Sequence, residues 1–410
     1  MDSNMDAEAA SSEKVLFSEA DEVQTLLTKL VALPVAAVDE DETEATRTVD
    51  RLCSIFDVYQ EQAQLLDTHL EGIISKVMTR AVEIVNSLVN HGGSRNSSGV
   101  SVPCSSDADP QTTDAEESFP IQNCSSRLFD ALMKIVYFLC KVRGYKTVVQ
   151  MLPHEVHHVE PVLKVLKGQD RKDHDRWPTR YSLLLWLSML ARVPFDLKSI
   201  DSNADDDNSK SSLASDIELL CRNYLSDSGV AMKAASVCVA QLLTRPDMES
   251  EHIGNFFQWA NGVLESGLQR GGEIADPFQI TGVLSALVEI FKKGTRGQLL
   301  EHVDVIFDST LDLIDTVGVN SSLLRKLLMK LIQRVGLQFL PPKIPTWRYQ
   351  RGHRQLLVNM QQQQPTKGSA SVAIAAVDME TGPEEKSADI AAEIEDVLDL
   401  LLLGLRDTDT

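Results

Sequence analysis

Residues 176–197 read RWPTRYSLLLWLSMLARVPFDL, the most apolar stretch in a chain of 410 residues. Pro178 suits the first turn of a helix, and Pro194 would end one. The stretch therefore predicts one helix that is apolar around most of its circumference and buried between neighbouring helices, with its polar ends at the surface. The residues expected to be buried are Leu183, Leu184, Trp186, Leu187 and Leu190.

The same stretch is too short to cross a membrane. Only eleven residues separate Arg180 from Arg192, whereas a spanning helix needs about 20 apolar residues. We therefore expect no membrane span, and the stretch is interpreted as part of a protein core.

The composition and the spacing of apolar residues favour an all-α fold. Hydrophobic residues make up 43% of the chain but aromatic residues only 5%, and a low aromatic share disfavours β-sandwiches. Apolar residues recur at intervals of three and four, which is the period of a helix face. One such face contains Leu128, Leu132, Ile135 and Leu139, and another contains Leu324, Leu327, Leu328 and Leu331.

Net charge and cysteine spacing exclude several classes of function. The formal net charge is −21, which opposes binding to nucleic acid and to anionic lipid. The six cysteines are too far apart to form a CxxC clip. Because the first residues, MDSNMDAEAASSEK, also lack the pattern of a signal peptide, we expect a reducing, cytoplasmic environment. No cofactor-binding motif is recognised.

A weak internal repeat predicts a solenoid. Small or acidic residues precede apolar helical patterns at Asp175, Asp227, Asp276 and Asn320, at offsets of 52, 49 and 44 residues. Helical HEAT and armadillo units repeat at roughly 40–47 residues. The prediction is an α-solenoid of irregular HEAT/armadillo-like helical repeats with disordered acidic or Ser-rich loops, and a non-repetitive helical domain is the alternative.

Polar stretches divide the chain into five predicted segments. The last of them, DIAAEIEDVLDLLLLGLRDTDT, is an amphipathic helix followed by a turn, which leaves an apolar face bare and is expected to begin a truncated further repeat. The segments are helical repeats at 1–90, a disordered Ser/Asp-rich loop at 91–120, HEAT/armadillo-like repeats at 121–360, a linker at 361–389 and that further repeat at 390–410.

The sequence HEVHH at 154–158 matches the HExxH pattern of zinc hydrolases, with His154 and His158 as ligands and Glu155 as base. Pro153 would place His154 in the exposed first turn of a helix, and no third ligand is found at the required positions. A solvated helix start is therefore favoured, no metal site is predicted, and a zinc hydrolase is kept as the enzyme-class alternative.

A segment without acidic residues is the main charge feature. No Asp or Glu occurs between Thr316 and Val377, where nine Lys or Arg residues occur. Cations and aromatic residues together suit an acidic protein partner, since guanidinium groups pair with carboxylates and aromatic rings provide anchors. Alternatively, the cations offset neighbouring acidic helices. The candidate protein-binding residues are Trp347, Arg348, Tyr349, Arg351 and Arg354.

Three segments carry a resemblance to a known family. They read KVRGYKTVVQMLPHEVHHVEPVL (141–163), TRYSLLLWLSMLARVPFDL (179–197) and WRYQRGHRQL (347–356). In this order they resemble the N-terminal portion of the tubulin-folding cofactor D family, also called tubulin-specific chaperone D. Members of that family run much longer than this chain.

The resemblance implies a non-catalytic cytoplasmic chaperone that is associated with the microtubule cytoskeleton. Such a protein accepts β-tubulin and works with cofactors E and C, α-tubulin and an ARF-like small GTPase to form or dismantle the αβ-tubulin heterodimer. The GTP hydrolysed in that assembly is bound to tubulin, and cofactor C supplies the stimulating arginine. A different HEAT-type adaptor, such as a transport or coat scaffold, is the alternative in the interaction class.

Overall fold

The computed structural model describes residues 16–34, 42–93, 127–202, 212–248, 250–267, 276–317, 321–340 and 385–406. Helices make up most of these residues, and none of them lies in a strand. The helices are α1 Ala20–Ala32, α2 Glu42–Val58, α3 Asp67–Gly93, α4 Arg127–Leu139, α5 Tyr145–Val149, α6 Val159–Lys167, α7 Trp177–Leu190, α8 Leu197–Ile200, α9 Leu213–Leu225, α10 Val230–Leu243, α11 Ser250–Gly267, α12 Pro277–Lys293, α13 Arg296–Leu299, α14 Val303–Val317, α15 Ser322–Phe339 and α16 Glu385–Leu405.

The chain divides into two units, residues 1–298 and residues 299–410. In the first unit the long helices form two stacked rows. Helices α2, α4, α7, α10 and α12 pack successively against one another in one row. Helices α1, α3, α6, α9 and α11 cover them as the other row, each of them packed against its partner in the first row. This arrangement confirms the predicted all-α solenoid.

Helices α7 and α10 lie in the middle of the first row and are buried almost all round. Twelve of the fourteen residues of α7 are buried, and so are eleven of the fourteen residues of α10. The prediction for the opening stretch is thus confirmed for its apolar residues, since Leu183, Leu184, Trp186, Leu187 and Leu190 are all fully buried. Four of the fourteen residues of α10 are alanine.

The repeat seen in the sequence corresponds to equivalent helices of successive pairs. Helices α7, α10 and α12 begin within three residues of Asp175, Asp227 and Asp276 and stack side by side. Asp276 caps α12 directly, because its carboxylate accepts hydrogen bonds from the backbone N–H groups of Phe278 and Gln279. The fourth predicted start precedes α15 in the second unit.

Ion pairs join α2 to α4 and to the π-helical turn Cys140–Gly144 that continues it. Lys134 Nζ lies 2.9 Å from Asp50, and Lys141 Nζ lies 2.8 Å from Asp57. The two lysines are seven residues apart, and so are the two aspartates, so the pairs are repeated after two helical turns. All four side chains are more than a third exposed, and such pairs set the register of the helices more than they add stability.

One of the two polar ends of α7 was wrongly expected to be exposed. Arg192 is exposed, as predicted, but Arg180 in the first turn keeps only 4% of its surface. Near the other end of the helix, the buried Arg245 reaches across from the segment after α10. Its guanidinium donates to the backbone carbonyls of Ala191 (2.5 Å), Val193 (3.0 Å) and Phe195 (2.8 Å).

The second unit is built from α14, α15 and α16. Helix α15 packs against both of the others, and glycines bring α15 and α16 close together. A Cβ at Gly336 would lie 2.6 Å from Val397 Cγ1, and one at Gly404 would lie 2.5 Å from Met329 Sδ. No helix among the described residues of either unit is long and apolar enough to cross a membrane.

Replacing Gly282 with alanine should destabilise the first unit. A Cβ at Gly282 would lie 2.7 Å from the carbonyl carbon of Leu225 and closer still to its oxygen, so α12 would have to move away from the end of α9. We expect the free energy of unfolding to fall by about 2–3 kcal/mol, measured by urea denaturation.

Gly262→Ala is the matched control for this substitution. Gly262 is also helical, but nothing lies within 4 Å of a Cβ built there, and alanine should raise stability by roughly 0.5–1 kcal/mol. Equal effects of the two substitutions would contradict the close approach of α9 and α12.

Candidate functional site

The predicted protein-binding residues lie outside the described part of the chain. Trp347, Arg348, Tyr349, Arg351 and Arg354 all fall within residues 341–384, which the structure does not describe. Their joint placement therefore stays a prediction. The described portion of the acid-free segment is helix α15, and its surroundings can be compared with the two interpretations of the segment.

Helix α15 carries cations on its outer face and no acidic residue. Ser321 caps it by accepting a hydrogen bond from the backbone N–H of Leu324. Lys326 and Lys330 are exposed, whereas Arg325 and Arg334 are half-buried. The apolar face, which includes Leu324, Leu328 and Leu331 at 3% exposure or less, is directed into the unit.

Both neighbours of α15 are acidic. Helix α14 presents Asp304, Asp308 and Asp312, all of them exposed, and α16 contributes Glu395, Asp396 and Asp399. Opposite charges on packed helices lower the electrostatic energy of the unit. For the described part of the segment, the arrangement thus supports the interpretation that the cations offset neighbouring acidic helices.

Helix α16 also carries an exposed apolar face. Leu398, Leu402 and Leu405 recur at intervals of four and three residues and are 54%, 53% and 81% exposed. Residues at this spacing share one side of a helix. The bare face expected from the amphipathic pattern is therefore present among the described residues of the second unit.

The HEVHH segment does not form the helix that an HExxH zinc site requires. Val156–His158 is a single 3₁₀ turn, and α6 begins only at Val159. His154 and Glu155 precede the turn in non-helical backbone, so His154 and His158 do not project from one helix face as ligands four residues apart would. The expectation that His154 occupies the first turn of a helix was wrong, because the helical backbone starts two residues later.

A different trio is brought together instead. Ligand atoms of Glu155, His157 and His158 lie within 4.8 Å of one another, and His157 Nε2 is 3.3 Å from Glu155. Glu155 and His157 are two-thirds exposed, while His158 is buried beside Trp186, with ring centroids 5.9 Å apart. The three residues lie within four successive positions of the chain, 155–158, and this closeness in sequence is sufficient to explain their proximity.

The described cysteines are buried thiols. Burial raises the pKa of Cys53 and of Cys140 to about 12. A hydrogen bond with Cys238, together with burial, raises the pKa of Cys221. All four carry free thiols. A thiol that stays protonated is a poor nucleophile, so these cysteines serve packing.

Other groups with shifted pKa values are scattered along the first unit. Burial lowers the pKa of Lys293 on α12 to about 8 and raises that of Asp130 on α4. Catalytic sites gather such groups in one cleft, where each can act on the same substrate. Lys293 and Asp130 lie instead on α12 and α4, which α7 and α10 separate in the row.

Two buried arginines were missed by the sequence analysis, although the sequence holds a signal for one. Arg180 precedes Leu183, Leu184 and Leu187 at intervals of three, four and seven, which places it on a buried face of α7. Composition-based expectation assigns arginine to the surface. The burial of Arg245 cannot be inferred from local periodicity, because the carbonyl groups that accept its hydrogen bonds lie more than 50 residues earlier.

Acid should destabilise the protein through His158. Burial lowers the pKa of its imidazole below the ordinary value of 6.5, and His157 lowers it further. The unfolded chain then binds the proton more readily than the folded one, so stability contributed by neutral His158 is lost as the pH falls through 6.5. Urea denaturation at pH 8 and pH 5.5 should show a smaller acid loss in His158→Gln than in the unmodified protein.

The exposed His154 provides the control for that experiment. Its side chain lies in solvent in the folded protein, so His154→Gln should leave the pH dependence of stability unchanged. If both variants behave alike, burial of His158 does not contribute to acid sensitivity.

Two curated relatives align with the chain. It is 28% identical over 222 residues to a tubulin-folding cofactor D of Schizosaccharomyces pombe, covering 54% of this chain and 18% of that protein. It is 25% identical over 420 residues to a tubulin-specific chaperone D of Dictyostelium discoideum, covering 83% of this chain and 27% of that protein. The chain thus spans about a quarter or less of the length of these relatives. No solved structure matches it.

Two family models also match. The first, described as Tubulin-specific chaperone D-like, ARM repeat, covers residues 56–264, which is just over half of the chain. The second, described as Tubulin-specific chaperone D-like, ARM repeats, covers residues 323–410. The matched residues include α7 and α10 of the first unit and α15 and α16 of the second. Because the first model covers more than half of its residues, the chain belongs to the tubulin-specific chaperone D-like family of ARM-repeat proteins.

Proposed function

We propose that this chain is a working part of a tubulin-folding cofactor that binds β-tubulin and scaffolds assembly or disassembly of the αβ-tubulin heterodimer. The other components of the assembly would be cofactors E and C, α-tubulin and an ARF-like small GTPase. Membership of the family and the names of both relatives support a role in tubulin folding.

The observation that carries the proposal is the double row of helices in the first unit. Each helix packs mainly against its neighbours in the row and against its partner in the other row, so the stack exposes a continuous surface. Solenoids bind their partners through such extended surfaces. A tubulin subunit that has not yet met its dimer partner exposes a large apolar surface. The extended face of the helical stack could cover that surface.

We propose further that the chain is non-catalytic. The shifted groups Lys293 and Asp130 lie on α12 and α4, which α7 and α10 separate in the row, and the HEVHH segment lacks the helix that a zinc site requires. In the proposed assembly, GTP hydrolysis would take place on tubulin with an arginine from cofactor C, and this chain would promote it as a scaffold. The free thiols are compatible with the proposed cytoplasmic location near microtubules.

The proposed contact with tubulin remains Trp347, Arg348, Tyr349, Arg351 and Arg354. Arginine and aromatic side chains together suit an acidic protein surface. The interpretation supported for α15, in which cations offset acidic neighbours, applies to residues 322–339 and leaves this contact open to test.

Charge reversal at Arg348, Arg351 and Arg354 should reduce capture of β-tubulin. The full chain is immobilised, and bound β-tubulin is quantified for the unmodified protein and for the triple Arg→Glu variant. Loss of three cations that face carboxylates should weaken binding roughly tenfold or more, because each charged hydrogen bond contributes about 1.5–3 kcal/mol.

A control with the same change in net charge is available. Lys29, Lys146 and Lys164 are exposed on the first unit, and their replacement by glutamate should leave β-tubulin binding near that of the unmodified chain. Equal capture by the two triple variants would refute the assignment of the contact. Capture of transport cargo peptides but no tubulin by the unmodified chain would favour the alternative of a different HEAT-type adaptor.

A further inference from the structure

Arg180 is a buried cation that forms no ion pair with any described residue. It keeps 4% of its surface, and its Nη1 atom donates to the carbonyl oxygens of Asp170 (2.9 Å) and Asp173 (2.7 Å). Its Nε atom is buried and has no hydrogen-bond partner. No carboxylate among the described residues lies within 4.0 Å of the guanidinium, so its direct hydrogen-bond partners are carbonyl oxygens, although Asp130 interacts with it electrostatically at longer range.

Asp130, which interacts electrostatically with Arg180, already has other partners. Asp130 accepts a hydrogen bond from Thr179 at 2.7 Å and lies 3.3 Å from Arg176. Arg176 in turn is 3.2 Å from Asp173. Burying a cation without a partner is costly, so an anion that reached Arg180 would be bound strongly.

Arg180 lines a groove that gives an anion a path to it. The groove has a volume of about 670 Å³ and lies beside the first turns of α7 and α10. We name it the α7–α10 groove. Besides Arg180 it is lined by Trp177, Ser228, Val230, Ala231 and Phe278. Asp227 also lines it, and its carboxylate is paired with Arg171.

The first turn of α10 adds partial positive charge to this groove. Gly229 precedes the helix with a φ of 107°, a conformation that side chains rarely adopt, and no side chain caps the helix. Val230 and Ala231, the first two helical residues, line the groove. Unsatisfied N–H groups at the start of a helix favour a bound anion, and here they lie beside the unpaired guanidinium.

Aromatic side chains indicate that the anion belongs to a peptide. Phe278 is 55% exposed, and Trp177 is held at one edge by an edge-on contact with Tyr137, with ring centroids 4.5 Å apart. Exposed aromatic groups beside a charged pocket suit a side chain next to the bound carboxylate.

We propose that the α7–α10 groove binds an acidic segment of a protein partner, with one carboxylate placed between Arg180 and the first turn of α10. The proposal deepens the proposed function, on which it rests for a protein partner, and assigns a site separate from residues 347–354. Neither Arg180 nor this groove was among the contacts expected from the sequence.

The experiment uses the full chain and a fluorescein-labelled oligoglutamate peptide that contains one tyrosine. Its affinity is measured by fluorescence anisotropy, with an oligoglutamine peptide as the uncharged comparison. Arg180→Met should weaken binding of the glutamate peptide roughly tenfold or more. Arg192→Met removes the same charge from the exposed end of α7 and should bind like the unmodified chain.

A second pair of variants keeps the test decisive if Arg180→Met fails to fold. Ser228 is exposed in the groove next to the start of α10. Ser228→Glu places a carboxylate where the peptide would bind and should lower its affinity severalfold, while the neutral Ser228→Gln should not. Thermal unfolding of every variant identifies those that have lost the fold.

The possible results separate this proposal from the proposed function. Unchanged peptide binding in both Arg180→Met and Ser228→Glu overturns the groove assignment, even if β-tubulin is captured. Groove-dependent peptide binding without β-tubulin capture supports the groove and refutes tubulin as the partner. Binding of inorganic phosphate to the groove without binding of the peptide assigns it to a small anion and also overturns the peptide proposal.

Discussion

The first unit depends on the burial of α7 on all sides. This helix packs against α4 and α10 in its own row and against α6 in the other, so polar groups on it must find partners within the stack. Ser182 donates to the carbonyl of Met133 at 2.9 Å, and Trp186 Nε1 donates to that of Pro153 at 2.7 Å. These bonds tie α7 to α4 and to the non-helical segment before α6, and they satisfy donors whose burial without a partner would be costly.

Sequence periodicity was sufficient for the apolar part of this architecture but not for its buried charges. Leu183 and Trp186 could be placed in the core because hydrophobic spacing reports the buried face of a helix directly. Arg180 sits on the same face, yet the carbonyls that receive it belong to the turn at 170–173, whose shape the sequence does not disclose. The HEVHH segment was likewise interpreted as a solvated helix start, whereas His158 is buried beside Trp186, and this contact joins residues far apart in the sequence. The expected contact at 347–354 lies outside the described residues, so the structure adds nothing to that part of the site.

The distribution of charge distinguishes the two units. In the first, cations such as Lys134 and Lys141 pair with carboxylates of α2, whereas Arg180 has no carboxylate within ion-pair distance among the described residues. In the second, a cationic helix packs between two acidic ones. A chain with an overall charge of −21 can therefore present locally positive surface to an acidic protein while its remaining surface repels nucleic acid.

Two kinds of helix contact within the first unit also have mechanical consequences. Solvent-exposed ion pairs such as Lys134–Asp50 can separate and re-form at little energetic cost, so α2 and α4 can slide slightly against each other. At Gly282, backbone presses on backbone, and no flexible side chain lies between the helices to absorb a displacement. If a large partner bends the solenoid, the displacement should be taken up mainly between α2 and α4. The contact between α9 and α12 should resist the same displacement more strongly.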